Sequence, residues 1–199
     1  MKKIIFLTLV IVLLPTMVWA QEKCEAPTLN IGDKWKYTDK SGSKWTQEVI
    51  GIEDDIYVIR YGKEIRGFDK NTMNFIYTID ENNKRTKFTD TRGKVLDFPL
   101  YIGKKWSNIV SRTPKKGGAT VEQNYQEEYL VSSYEDVRVM AGTFKAFKIE
   151  YRAKNMRTMR EGSKGAYWYS PEVKTIIKRF ETVSIETGNM ELDSYELKQ

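Results

Sequence analysis

The sequence predicts an all-β fold. The expected architecture is a single antiparallel meander of about ten strands, forming a barrel or a strongly curved half-barrel behind an N-terminal signal helix. Two observations carry this. Apolar and aromatic residues alternate with polar ones at period two in run after run, as in Met73-Phe75-Tyr77-Ile79. The runs are joined by short Gly, Asn, Asp, Ser and Pro clusters, which leave no room for crossover helices.

Residues 1–20 read as a signal peptide. Lys2 and Lys3 form the positive end, Ile4 to Leu14 the apolar run, and Val18-Trp19-Ala20 the small-residue cleavage site. The run falls short of the ~20 residues that a membrane span needs, so the mature chain is expected not to cross a membrane. Gln21-Glu22-Lys23 before Cys24 is the wrong size and charge for lipid attachment. Residues 21–30 read as a short leader and 31–199 as one β domain. Cys24, the single cysteine, is expected to be an exposed thiol in a mobile leader.

Strands follow in order. Gly32 turns the chain into a strand with Trp35 and Tyr37 on one face. Trp45–Ile52, Ile56–Tyr61 and Glu64–Phe68 come next, then the Tyr77 strand and a return over Arg85–Phe88. Gly103-Lys104-Lys105-Trp106 repeats the chemistry of Gly32-Asp33-Lys34-Trp35, so two strands are expected to enter the core by the same glycine turn and Trp plug. Thr113–Gly118 is a polar loop. Val121–Ser132 alternates as a strand, and Glu135–Met140 continues it. Gly142 marks a corner with positive φ or a bulge. The broken period of Phe144, Phe147 and Ile149 also suits a bulge. Phe144–Tyr151, Gly165–Ser170 and Lys174–Val183 are the next strands. After the Gly188-Asn189 turn, Met190–Leu197 is the last.

Composition excludes several chemistries. The chain has no histidine and one cysteine, which removes Ser-His-Asp and Cys-His catalysis, His-ligated metals and thiolate clusters. No metal and no cofactor are expected. A net charge of +6 without an arginine stripe is no nucleic-acid footprint. The acids Glu127, Glu128, Glu150, Glu161 and Glu172 are scattered and form no catalytic motif. Arg152, Lys154, Arg157, Arg160 and Lys164 make one basic loop, read as a solvated hairpin end or as a patch for phosphates or lipid headgroups.

Ala141-Gly142-Thr143-Phe144, Trp168-Tyr169-Ser170-Pro171-Glu172, Ile176-Ile177-Lys178 and Pro99-Leu100-Tyr101-Ile102-Gly103-Lys104-Lys105-Trp106 resemble uncharacterised exported bacterial proteins, some called TapB-like. The resemblance covers about half of the mature chain. It implies a β-barrel or curved sheet in the bacterial envelope and carries over no catalytic residue. One departure is Lys174, where that family usually has glycine.

Three functions remain. The leading one is an exported binding or carrier protein, periplasmic or extracellular, holding an apolar or amphipathic ligand such as a lipid. Trp35, Tyr37, Tyr77, Trp106 and Trp168 are its candidate ligand-binding residues, because Tyr and Trp suit a partly wet cavity. The second is an interaction module for another envelope protein. The third, less favoured, is a carboxylate-based hydrolase.

Overall fold

The computed structural model describes residues 22–87, 93–112, 115–116, 119–120, 123–182 and 189–199. The signal segment, Phe88, Val121, Val183, Gly188 and parts of the 113–118 loop lie outside the described residues. The strands are β1 (Lys23–Cys24), β2 (Lys34–Asp39), β3 (Lys44–Glu53), β4 (Ile56–Tyr61), β5 (Glu64–Asp69), β6 (Phe75–Ile79), β7 (Arg85–Lys87), β8 (Leu100–Tyr101), β9 (Lys105–Arg112), β10 (Lys115–Lys116), β11 (Ala119–Thr120), β12 (Gln123–Val139), β13 (Gly142–Asn155), β14 (Glu161–Ser170), β15 (Thr175–Glu181) and β16 (Met190–Glu196). There is no helix among the described residues.

Twelve strands form one antiparallel sheet in the order β7-β6-β5-β4-β3-β2-β16-β15-β14-β13-β12-β9. The chain starts in the middle at β2 and steps outward by hairpins to β7. It then crosses to the other edge at β9 and steps back inward, so that β16 ends beside β2. Two meanders therefore meet at the β2–β16 seam. The barrel expectation is corrected here: among the described residues β7 and β9 do not pair, and the sheet stays open.

The sheet instead folds back on itself. Val137, Val139, Phe144 and Ala146 at the tip of the β12–β13 hairpin share a core with Trp35, Tyr37, Val49, Tyr57 and Ile59 of β2–β4. Phe144 meets Tyr195 edge-on at 5.7 Å, and the Ala141 N–H donates to the Leu192 carbonyl. A second core holds Tyr129, Val131, Phe147, Ile149, Tyr151, Tyr167 and Tyr169 under Leu100, with Val95, Leu96, Phe98 and Cys24 packed against it.

These two cores explain the broken period in β13. Register runs unshifted from Phe144↔Val137 to Lys148↔Ser133; one extra residue of β12 then lies between Val131 and Ser133, opposite the Lys148–Ile149 step. By alternation, Phe144 and Ala146 face one side and Phe147 and Ile149 the other. The hairpin is buried on opposite faces at its tip and at its middle, which accounts for the broken period, while the irregularity of this stretch lies in the partner strand β12 rather than in β13.

Two further expectations change. Cys24 is half-buried and paired with Leu100 in the β1–β8 ladder rather than exposed. Burial, with Glu25 beside it, pushes its thiol up to about 11. Leu29 also packs into the first core, which ties residues 22–30 to the sheet. Lys174 adopts φ 59, the left-handed conformation that favours glycine. The Lys174 ammonium lies 3.6 Å from the buried Asp33 carboxylate.

Candidate functional site

Alternation along β9 and β12–β15 sorts their side chains onto two faces. On one face the rows are Ser107-Glu128-Arg152-Lys164, Lys105-Leu130-Glu150-Ala166-Phe180 and Lys148-Trp168-Lys178, each in register across its strands. These rows, Lys178 apart, line a groove of about 980 Å³. Leu130, Ala166, Trp168 and Phe180 give it an apolar floor, and Phe180 remains 42 % exposed. Further along the same hairpin face lies the first core, against which Trp168 packs.

Polar groups ring the floor. Arg152 pairs with Glu128 at 2.6 Å and Lys148 with Glu150 at 2.7 Å. Lys105 and Lys164 line the groove and have no ion pair among the described residues. Four basic side chains thus face two acidic ones. The Trp168 indole N–H donates to Glu135 at 2.9 Å, and the Ser133 hydroxyl donates to the same carboxylate at 2.7 Å. These two donors hold the Glu135 carboxyl below its usual range. The indole is thereby anchored by a hydrogen-bonded anion.

The opposite face carries an aromatic ladder. Trp106 stacks on Tyr129 at 5.1 Å, Tyr129 on Tyr151 at 5.8 Å, and Tyr151 tilts onto Tyr167 at 5.2 Å. Arg179 lies 5.6 Å from the Tyr167 ring. Gly165 is required opposite Tyr151, because a Cβ there would meet the Phe180 carbonyl oxygen at 2.0 Å. Tyr129 donates to the buried Glu127 at 2.8 Å, and Arg179 pairs with Glu181 at 2.6 Å. Burial, and then the Glu127 charge, push the Tyr129 phenol well above its usual range. These phenols are neutral hydrogen-bond donors that brace carboxylates.

The structure separates the five residues proposed from sequence. Trp35 is 2 % exposed in the first core, and its indole N–H donates to the Val173 carbonyl at 2.7 Å. Tyr37 is buried beside it, stacked on Trp45, with its hydroxyl 2.7 Å from that of Thr175. Tyr77 is 1 % exposed and lies flat over Gly67, under the Arg85 guanidinium at 3.7 Å. Trp168 lines the groove, whereas Trp106 sits in the strand at its border and turns its ring to the opposite face, onto Tyr129. The scattered acids also divide: Glu128 and Glu150 line the groove, Glu127 lies under the ladder, and Glu161 opposes Lys154. Of the basic loop, Arg152 and Lys164 reach the groove. Sequence reading missed Leu130, Ala166, Phe180, Lys105 and Lys148, whose common face becomes visible only once the register is known.

No family model matches the chain, and no curated protein matches it. Solved structures do. The hypothetical lipoprotein YmcC of Escherichia coli K12 aligns over 84% of both chains at 8% identity and a TM-score of 0.48. A protein of Bacteroides fragilis described as exported, with a YmcC-like fold, aligns over 87% of this chain and 99% of its own at 10% identity and a TM-score of 0.39. A protein of Parabacteroides distasonis described as a lipoprotein aligns over 88% of this chain and all of its own at 11% identity and a TM-score of 0.37. Similarity at this level assigns no activity, and the groove has to speak for itself.

Proposed function

We propose that this is an exported envelope protein that binds or carries an apolar or amphipathic ligand in the groove over β9 and β12–β15. The observation that supports it is the apolar floor of Leu130, Ala166, Trp168 and Phe180 within a ring of charged side chains. A volume of about 980 Å³ lies at the upper end of the ~300–1,000 Å³ range of small-molecule sites. An apolar patch of this kind on a soluble protein marks a binding surface. Binding rather than catalysis fits the two acids of the groove, since each is engaged by a cation beside it.

Native mass spectrometry tests this on protein purified gently from the cells that make it, followed by organic extraction of the same sample. The reading expects a bound mass that leaves as an apolar or amphipathic compound. A clean ligand-free mass, with a protein partner retained instead, would replace it with the interaction module.

A further inference from the structure

We infer that the ligand of the groove is a single-chain amphiphile with an anionic head, carboxylate or phosphate, held by Lys105 and Lys164. The inference rests on the binding reading above and adds the charge and position of the head. Four cations and two anions line the groove, and the two anions are already matched: Glu128 by Arg152 and Glu150 by Lys148. Lys105 and Lys164 are the cations left over. They do not lie together. Lys105 stands at the β9 end of the row that forms the floor, next to Leu130, while Lys164 stands in the neighbouring row, beside Arg152 and against Ala166 in sequence.

Between the two lysines lie Leu130 and Glu150 in one row and Glu128 and Arg152 in the other; the apolar floor is Leu130 and, beyond Glu150, Ala166 and Phe180, with Trp168 beside Ala166 on the first-core side. A head lodged on the Lys105–Lys164 side therefore leaves its chain over the floor, with the chain end toward Trp168 and Phe180. A cationic head would meet the two unmatched like charges there. A neutral ligand would gain the floor and leave the surplus charge unused. The two lysines stand three strand spacings apart, about 14 Å, so their long stems have to lean inward over the Glu128–Arg152 pair to reach one head.

The test uses the mature protein and probes that share one chain: palmitate, hexadecyl phosphate and the neutral hexadecanol, each titrated by tryptophan fluorescence at low and high salt. The anionic probes are expected to bind about tenfold more tightly than hexadecanol, the gain that two exposed charge contacts supply. The Lys105→Gln/Lys164→Gln double variant and high salt should each remove that advantage and leave hexadecanol binding unchanged. Phe180→Asp, at an exposed position that the fold tolerates, should weaken all three probes. A preference for palmitate over hexadecyl phosphate, or the reverse, decides between the two heads. Equal binding of charged and neutral probes, unchanged in the lysine double variant, would overturn the anionic head and leave the groove reading standing. No binding of any probe, together with a ligand-free native mass, would overturn both.

Discussion

The chain uses one device twice, in two surroundings. Gly32 (φ 92) and Gly103 (φ 89) open the same turn. The Gly32 N–H donates to Val49 at 2.8 Å and the Gly103 N–H to Val131 at 2.8 Å. Val49 and Val131 return the bond, to the Asp33 and Lys104 carbonyls, each at 2.9 Å. A register shift follows both valines. Each turn then delivers a tryptophan three residues after its glycine. What differs is the far side of the strand. β2 is flanked by β16, while β9 has no strand beyond it among the described residues. Trp35 is consequently sealed into a core, and Trp106 is left half-buried at the edge of the sheet, against the second core. The same local sequence makes a plug where the sheet continues and a border where it stops.

The comparison breaks or sharpens most readily at the tryptophans. Trp35→Ala should cost about 3–5 kcal/mol, because it opens a cavity and orphans the Val173 carbonyl. Trp106→Ala should cost about 1–2 kcal/mol, mainly the lost stacking on Tyr129. Urea midpoints of the two variants measure both, and equal losses would erase the distinction.

The residue after each glycine comes next. Asp33 is 0 % exposed and accepts from the Asn30 and Lys198 N–H groups. Asp33→Ala should therefore cost roughly 2–3 kcal/mol and free the C-terminal segment, which hydrogen exchange at Lys198 would report. At the equivalent position the Lys104 ammonium pairs with Asp97 at 2.9 Å and donates to the Asp97 and Pro99 carbonyls. Lys104→Met should cost roughly 1–2 kcal/mol in the same assay.

The glycines themselves should differ least. Gly32→Ala and Gly103→Ala should each cost about 1–2 kcal/mol, since alanine is strained at these φ values. Gly32→Ala should be the worse of the two, because its Cβ would lie 3.1 Å from the Lys198 side chain while nothing approaches Gly103. A thermal melt series of the two variants ranks them.

The groove adds a pH signature. The folded protein depresses the Glu135 carboxyl, so this group's contribution is complete above the usual carboxylate range, about pH 4.3 in the unfolded chain. It fades as pH falls toward the lower folded value. The Trp168 emission should therefore shift only below the ordinary glutamate range, and Glu135→Gln should abolish that shift. Persistence of the shift in the variant would detach Trp168 from Glu135.

Much of the strand content was legible because alternation and turn residues are local signals. Ile56–Tyr61 and the Gly103 turn need no knowledge of neighbours. The split of the hydrophobic pattern in β13 was also visible at Phe144 and Phe147, but its cause was not. Double-sided burial depends on what covers each face, here β2–β4 on one side and the 93–101 segment on the other. The open topology was hidden for the same reason. Nothing local tells β16 to return beside β2 rather than continue an edge. The candidate site suffered most. Trp35, Tyr37 and Tyr77 look like Trp106 and Trp168 in sequence, and only the register separates core aromatics from groove aromatics. Ala166 and Lys105 carry no local signal at all.

The central contrast, a sealed Trp35 against an accessible Trp168 groove, is tested most directly by NMR of the tryptophan indole N–H groups. A fatty acid bearing a nitroxide near its chain end is titrated into the labelled mature protein. The account predicts strong broadening of the Trp168 resonance, weaker broadening of Trp106, and none at Trp35. Broadening of Trp35 first, or no selective broadening of Trp168, would contradict it.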